Sequence, residues 1–457
     1  SQFSHDGPHV VVGRGSMLDE ALEMLLGVIE ARRLVLFLGA GLSIPQPSGL
    51  PPAWKLAREA ASRHKANTGV ALPDALRDDI EAQARYHDKQ NQLESYFLPK
   101  LIDWKGFAGE PNAGHFAVAD LLLSHATAFS VTTNVDVLIE RAAERLGDPA
   151  VAVALDGVDA ATPHTHPPFL KLHGCFRRRT ETLWCREQIG REPWATRIQR
   201  SAQWLAGNLF QKDVVFIGYW SDWTYLNDVL ASVLTDPVPR SVTLVDPSAA
   251  ETLATKADGL WKWAHRDGIA FRHIQVSGSD FLEQLRVRFS QVQVGRIAAV
   301  GAPAFARETG REAPAFPPAT AVNPSDLYDL RRDLAGIPRT AAVGRHDPGS
   351  TDELLGKVIY DLVDAGAVLD GSLLLLDGKR VRVVQGAGRM LYTVRDALDG
   401  DMSAVTPPDL TVCVGAEDDG GAAAHVLRPE RRPSVVRGNV GGAWCTHVDY
   451  RDVMGAA

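Results

Sequence analysis

The stretch from Leu34 to Ser43 constrains the fold of this chain more than any other. Five apolar residues, Leu34-Val35-Leu36-Phe37-Leu38, run directly into Gly39-Ala40-Gly41. The run is too short for a helix and is typical of a buried parallel strand. Glycine lacks a Cβ, so a strand that ends in glycines can turn sharply and point backbone N–H groups at an anion. An ordinary strand-to-helix turn explains the same residues.

A repeated unit of strand, polar tip and helix extends over the first 290 residues. The apolar runs predict strands at 34–38, 126–132, 168–172, 213–217, 241–245 and 270–274. This alternation favours an α/β fold, a Rossmann-like parallel sheet with helices on both faces. Ligands of such sheets bind beyond the carboxyl ends of the strands, where the polar tips of this chain lie.

The sequence changes character after residue 292. Residues 293–324 are rich in Pro, Ala and Gly without any period, which predicts a linker. Beyond it, Asp377-Gly378 separates an apolar run from an alternating one, a strong signal for a β-hairpin. We therefore expect a domain at 1–292, a linker at 293–324 and a small α+β C-terminal module at 325–457.

Composition excludes several classes of function. The chain has 457 residues, 45% of them hydrophobic, and no apolar run approaches the about 18 residues that a membrane span needs. We expect a cytoplasmic protein with no membrane contact. A formal net charge of −8 argues against direct nucleic-acid binding without a partner. The four cysteines form no Cys-x-x-Cys pair, so we expect free thiols and no metal.

Two common phosphate-binding fingerprints are missing. The dinucleotide pattern needs a third glycine and an acidic residue about 20 positions on, at the end of the next strand. Here Leu42-Ser43-Ile44 follows Gly41, and the next 20 positions are mostly helical in pattern. No Gly-Lys-Ser or Gly-Lys-Thr closes a P-loop. A hydride-transfer dehydrogenase and a P-loop NTPase are therefore disfavoured.

Taken together, the strand tips resemble those of the sirtuin family over roughly residues 20 to 290. Four short motifs occur in the family's order: Gly39-Ala40-Gly41-Leu42-Ser43 with Gly49-Leu50-Pro51, Pro111-Asn112 with His115, Thr133-Asn134-Val135-Asp136, and Lys171-Leu172-His173-Gly174. The last is similar to the segment that holds the family's catalytic histidine. Nothing after the linker belongs to the resemblance.

The chain also departs from the sirtuin pattern. Sirtuins that deacylate lysine carry two Cys-x-x-Cys pairs on a zinc module, and this chain has neither. Pro52-Ala53-Trp54 stands where they have Asp-Phe-Arg, and Gly218-Tyr219-Trp220-Ser221-Asp222 is more similar to a divergent bacterial branch. The resemblance to that branch implies an immune effector that destroys NAD+ during phage or plasmid invasion.

Two residues are the candidate catalytic groups. Cleavage of the nicotinamide–ribose bond passes through an oxocarbenium-like state with a good leaving group, so it needs a polar group beside the ribose and the attacking water rather than a strong acid. Asn134 offers a donor and an acceptor for that task, and His173 can accept a proton near neutral pH. An N-cap asparagine and an ordinary hydrogen-bonded histidine are the structural alternatives.

Further residues are expected to bind NAD+. The Gly39–Gly41 amides and Ser43 would hold phosphate, Asp136 would hold its loop through backbone N–H groups, and Ser221 with Asp246 would meet the adenosine half. The full expected binding set is Gly39, Ala40, Gly41, Ser43, Thr133, Asp136, Gly218, Ser221 and Asp246.

The sequence thus predicts an NAD+ glycohydrolase (NADase) of antiviral defence by abortive infection. An NAD-dependent protein deacylase or ADP-ribosyltransferase would use the same pocket, and a non-catalytic NAD-binding sensor remains a further alternative. Residues 325–457 are not securely matched to a signal-nucleotide sensor, an Argonaute-docking segment or an ATPase-partner segment; we expect this module to gate a homo-oligomer. The resemblance implies control through a signal nucleotide or a protein partner such as a short Argonaute or an ATPase.

Overall fold

The chain forms two β-sheets, each with its own helices. The structure is a computed structural model, and it describes residues 14–147, 151–218, 230–231, 233–236, 238–318, 323–338, 341, 353–402, 406–418 and 434–456. No helix within these ranges combines the length and the apolar character that crossing a bilayer requires.

The first sheet is seven-stranded and parallel throughout. Its strands are β1 (Leu34–Leu38), β2 (Phe129–Thr132), β3 (Val153–Ala154), β4 (Phe169–Lys171), β5 (Asp213–Ile217), β6 (Ser241–Val245) and β7 (Ala270–Ile274). They lie in the order β3-β4-β2-β1-β5-β6-β7. The glycine-terminated strand β1 is therefore central, with β2 on one side and β5 on the other.

Helices cover both faces of this sheet. They are α1 (Arg14–Glu30), α2 (Ala53–Thr68), α3 (Ile80–Asp88), α4 (Ala113–Leu123), α5 (Leu138–Leu146), α6 (Gly157–Ala161), α7 (Trp194–Asn208), α8 (Ala250–Lys256), α9 (Asp258–Ala264) and α10 (Gly278–Ala299).

The alternation of β1 side chains divides the core in two. Leu34, Leu36 and Leu38 pack with α1, α4, α5 and α10 on one face. Val35 and Phe37 pack with α7, α8 and α9 on the other. Because every β1 residue is buried, an apolar run without alternation is what this strand requires. The predicted fold class is confirmed.

Edge strand β3 is the one described strand of this sheet that the sequence pattern does not predict. It contains only Val153 and Ala154, paired with Phe169 and Leu170 of β4. Two residues carry no period, so the sequence offers no signal for this strand.

The connection from β1 to β2 carries a helical insertion. Helices α2 and α3 and the π-helix Leu93–Leu101 share a separate apolar core with the loop that follows β4. Phe97, Trp104 and Trp184 stack edge to face in that core. The insertion thereby contacts the carboxyl ends of β2 and β4.

The second sheet is six-stranded and mixed, in the order β12-β13-β11-β10-β9-β8. Its strands are β8 (Val368–Asp370), β9 (Leu373–Leu376), β10 (Lys379–Gln385), β11 (Leu410–Val414), β12 (Val435–Arg437) and β13 (Ala443–Thr446). The accompanying helices are α11 (Ala302–Thr309), α12 (Asp326–Ala335), α13 (Glu353–Asp364), α14 (Leu391–Leu398) and α15 (Tyr450–Ala456).

The predicted hairpin is present in this C-terminal sheet. Strands β9 and β10 pair antiparallel on either side of Asp377 and Gly378, whose φ angles are 51° and 77°. Two consecutive positive φ values are what a tight hairpin turn requires, and the Asp-Gly pair tolerates them.

The expected linker at 293–324 differs in the structure. Helix α10 continues to Ala299, and α11 follows it almost at once. Val294, Ile297 and Phe305 are buried in the core of the C-terminal sheet. The alanine-rich composition suggested a linker, but apolar residues at helical spacing within it bury a helix face.

Candidate functional site

The glycine bend after β1 packs tightly against the end of β5. The N–H groups of Gly39 and Gly41 donate to the carbonyl oxygens of Ile217 and Gly218, both at 2.9 Å. A Cβ on Gly41 would lie 2.7 Å from the Cα of Gly218, so only glycine fits this approach. These two amides are therefore engaged within the sheet, which differs from the expectation that they face an anion. Ala40, at the apex of the bend, is exposed.

Ser43 is the centre of a buried hydrogen-bond network at the strand tips. Its Oγ donates to Asp136 Oδ2 at 2.9 Å and lies 3.1 Å from His115 Nε2. The side-chain amide of Asn134 donates to Ser43 Oγ at 3.3 Å and to the Gly39 carbonyl oxygen at 3.1 Å. The structure thus brings the tips of β1 and β2 together around one buried hydroxyl.

The proton positions in this network follow from the start of helix α4. Asn112 N–H donates to His115 Nδ1 at 3.1 Å, so Nδ1 is the unprotonated nitrogen. In the neutral ring the Nε2–H group then donates to Ser43 Oγ, and the Ser43 hydroxyl proton goes to Asp136. Burial lowers the pKa of His115 to about 3, which keeps the ring neutral.

Asp136 fixes the loop after β2. Its Oδ1 accepts from the Leu138 N–H at 3.1 Å, at the start of α5, while Oδ2 accepts from Ser43. Burial raises the pKa of Asp136, against the opposing effect of the nearby Lys171 ammonium. Thr133, three residues earlier in the same loop, donates its N–H to the Leu38 carbonyl oxygen at 3.2 Å.

His173 and Asn134 follow two adjacent parallel strands at equivalent positions. The register pairs Thr132 of β2 with Lys171 of β4, and each candidate residue lies two positions further on. The two loops are joined by the Phe176 N–H, which donates to the Val135 carbonyl oxygen at 2.7 Å. His173 is buried, and burial lowers its pKa to about 3. Its ring is therefore neutral at physiological pH.

The remaining expected binding residues lie on the other side of β1. Gly218 directly follows β5, has a φ of 58° and packs against the glycine bend. Asp246 directly follows β6, and its Oδ1 accepts from the Ser248 N–H at 2.8 Å. It is three strands away from Asn134, roughly 14 Å at about 4.8 Å a strand. Ser221 lies outside the described residues.

Three residues of the site were assigned no role from the sequence. His115 was seen only as part of a motif, although its spacing from Asn112 is that of a capping box. Lys171 and Glu140 form a buried ion pair behind the loop after β2, with Nζ and Oε1 2.5 Å apart. Charged residues are usually exposed, so no sequence signal points to their burial.

The segment after β4 holds buried, unpaired cysteines. Cys175 and Cys185 are both free thiols, and burial raises the pKa of Cys185 to about 12. Within the described ranges, no group of three or more His, Cys, Asp or Glu side chains could hold a metal ion.

Comparison with known families adds to this geometry. Residues 129–261 match the sequence profile of the SIR2-like domain. The segment from β2 into α9 is therefore similar to a SIR2-like domain. The matched part contains Asn134, Asp136, His173, Gly218 and Asp246, whereas the glycine bend precedes it.

Solved structures of sirtuin type are also similar to this chain. A Sir2 homologue in complex with NAD is 15% identical, with a TM-score of 0.33, and covers 59% of this chain and 94% of its own. A mutant Sir2 homologue in complex with ADP-ribose is 14% identical, with a TM-score of 0.33. That match spans 60% of this chain and 97% of the homologue. Sir2Tm bound to a propionylated peptide is 12% identical, with a TM-score of 0.32. That match spans 58% of this chain and 96% of Sir2Tm.

Curated sequences give a short match of a different kind. Bifunctional glutamine synthetase adenylyltransferase/adenylyl-removing enzymes of Mycobacterium bovis and Mycobacterium tuberculosis are 31% identical over 81 residues. The match covers 18% of this chain and only 8% of those enzymes.

Proposed function

We propose that the chain is an NAD+ glycohydrolase that cleaves NAD+ to nicotinamide and ADP-ribose. The observation that carries the proposal is the buried network that joins Gly39, Ser43, Asn134, Asp136 and His115 beside the His173 loop. NAD+ is the substrate because the strand-tip motifs resemble those of sirtuins and residues 129–261 match the SIR2-like domain.

The fixed amide of Asn134 suits it to a role beside the ribose. Its nitrogen donates to Gly39 and Ser43, which leaves the carbonyl oxygen as the group for a ribose hydroxyl or the attacking water. In the proposed reaction the nicotinamide–ribose bond breaks, positive charge develops on the ribose, and water adds to the anomeric carbon. A rigidly held acceptor can orient that water without reorganisation.

The neutral state of His173 suits the same reaction. A charged imidazolium would repel the cationic ribose of the transition state, whereas a neutral ring does not and can accept a hydrogen bond from a ribose hydroxyl or from the attacking water. Burial provides that neutral state, since it lowers the pKa of His173 to about 3.

Two alternatives share this pocket and are separated by assay. A protein deacylase or an ADP-ribosyltransferase must capture an acceptor, so it would act on an acyl-lysine peptide or modify a protein. A non-catalytic sensor would bind NAD+ in calorimetry and release no nicotinamide. The lack of Cys-x-x-Cys pairs favours hydrolysis, because sirtuins that deacylate lysine carry such pairs on a zinc module; here Cys185 packs in an apolar core and Cys175 lies 3.7 Å from Lys171 Nζ.

We further propose that the enzyme acts in the cytoplasm as an effector of prokaryotic antiviral defence by abortive infection. The support is the resemblance to the divergent bacterial branch. Residues 325–457 would gate a homo-oligomer in response to a signal nucleotide or a protein partner, such as a short Argonaute or an ATPase. Mass photometry with and without these activators tests the gating.

The proposed activity is tested by following NAD+ with the purified chain and its activators. We expect Asn134→Ala and His173→Ala each to lower turnover by at least about 100-fold, because each removes a group that acts in the transition state. Exposed residues of the same types provide the controls: Asn208→Ala and His164→Ala should retain the parental rate. NAD+ that stays intact under activating conditions contradicts the proposal.

A further inference from the structure

Lys171 is a buried cation placed between the two candidate catalytic loops. It is the last residue of β4, two positions before His173, and its side chain is 1% exposed. A lysine is almost never buried this completely unless it is paired.

The ammonium group of Lys171 joins three elements. Nζ donates to the backbone carbonyl oxygen of Asp136, in the loop after β2. It also pairs with Glu140 Oε1 of α5 at 2.5 Å and lies 3.7 Å from the Cys175 sulfur. Burial alone would lower the pKa of Lys171, but Glu140, Cys175 and Asp136 together outweigh burial, so the pKa is raised and the group stays charged.

Lys171 contacts the loops that carry the candidate catalytic residues, and its hydrogen-bond and ion-pair partners are the Asp136 carbonyl oxygen, Glu140 and Cys175. The Asp136 peptide that it holds is two residues from Asn134, and the Asp136 side chain is the acceptor for Ser43. The carboxyl end of β4, where Lys171 lies, leads directly into His173. Lys171 therefore ties the Asn134 loop to the strand that leads into His173, in addition to the Phe176–Val135 backbone hydrogen bond between the two loops.

A purely stabilising role would be served better by other residues. Replacing a buried ion pair with apolar side chains of similar volume is often neutral or stabilising, because desolvation of two charges offsets their attraction. An apolar side chain, however, cannot donate to the Asp136 carbonyl oxygen. We propose that Lys171 is a positioning residue that holds the Asn134 loop in register with His173 for the reaction.

This inference rests on the proposed function, and the test uses one single and one double variant of the full-length chain. Lys171→Met removes the ammonium but keeps an unbranched apolar side chain of nearly the same length. Lys171→Met with Glu140→Met also removes the carboxylate that would otherwise stay buried without its counter-ion. The control is Arg33→Met, which breaks the Arg33–Asp213 ion pair (2.7 Å) at the amino ends of the central strands β1 and β5.

Turnover separates positioning from stability. We expect Lys171→Met to lower kcat by about 100-fold with little change in KM, because misplacing a catalytic group by about 1 Å costs that much. The double variant should recover the parental melting temperature while kcat stays low. Arg33→Met should keep the parental kcat. A parental kcat in Lys171→Met, or its recovery in the double variant, overturns the inference.

Hydrogen exchange tests the same inference independently of activity. Amides of residues 133–138 should exchange faster in Lys171→Met and in the double variant, whereas those of β5 should not. Unchanged exchange of 133–138 in the double variant overturns the inference. If the parental chain consumes no NAD+, the proposed function fails, and exchange alone decides the role of Lys171.

Discussion

At the scale of single residues, burial of neutral histidines makes the stability of this fold depend on pH. His115 and His173 each have a folded-state pKa of about 3, lowered by burial from 6.5. Between those values the unfolded chain binds a proton at each ring that the folded chain does not. As pH falls below 6.5, protonation of each histidine in the unfolded chain therefore lowers the free energy of unfolding, by up to about 1.4 kcal/mol per pH unit.

We predict that His173→Asn flattens this dependence. Free energies of unfolding from urea titrations at pH 7, 6 and 5 should fall less steeply with acid than those of the parental chain, by about 1.4 kcal/mol per pH unit well below pH 6.5. The exposed His164→Asn is the control and should keep the parental slope. Parallel curves for His173→Asn and the parental chain would show that His173 takes up a proton in the fold.

The sequence predicts polar residues at strand tips better than it predicts what they bond. Ser43, Asn134 and Asp136 follow apolar runs, so their meeting at one sheet edge is implied by parallel topology alone. The amides of Gly39 and Gly41 could not be assigned in this way. Their acceptors are on β5, almost 180 residues later, and only the strand order places β5 beside β1.

At the scale of elements, α12 is a charged helix buried between the two sheets. Residues 326–334 are all buried, although five of them are charged. Arg331 pairs with Asp120 of α4 and donates to Ser124 at 2.7 Å. Two positions on, Asp333 accepts from Nε and Nη2 of Arg382 on β10, each at 2.7 Å. Each sheet domain thus holds this helix through a buried ion pair.

We predict strong coupling between Arg331 and Asp120. Removing Arg331 leaves the buried Asp120 carboxylate with the more distant Arg286 guanidinium, 3.7 Å away, as its cation, so Arg331→Met should destabilise the fold by about 3 kcal/mol. In a double-mutant cycle with Asp120→Asn, the coupling energy should exceed about 1 kcal/mol. The exposed pair Lys262–Asp258 on α9 is the control, with an expected coupling below about 0.5 kcal/mol. Equal coupling in the two cycles would contradict the structural role of α12.

Elements with a clear period are predicted well from the sequence, and elements fixed by tertiary contacts are not. The apolar runs locate β1, β5 and β6, and Asp377-Gly378 locates the C-terminal hairpin. The continuation of α10 beyond residue 292 was missed because alanine and glycine dominate its composition. Helix α12 shows the same limit, since its charges suggest exposure and only its partners on two domains explain its burial.

At the scale of the whole molecule, α10 and α12 make the two sheets share their cores. Helix α10 contributes Leu285 and Phe289 to the first core and Val294 and Ile297 to that of the C-terminal sheet. From α12, Tyr328 is 1% exposed within the first core. Neither core is therefore complete without residues from the other half of the chain.

We predict that both sheets unfold as one cooperative unit. Tyr328→Ala removes an aromatic ring from the first core, and Tyr360→Ala removes one from the C-terminal core. If the sheets form a single unit, each variant should lower the opening free energy measured by hydrogen exchange by about 3–5 kcal/mol at both β1 and β11. Both strands would then exchange through the same global opening. If each variant weakens only its own sheet, the sheets are separate units, and a signal sensed by residues 325–457 would reach the strand tips through contacts of α10 and α12 without a shared unfolding transition.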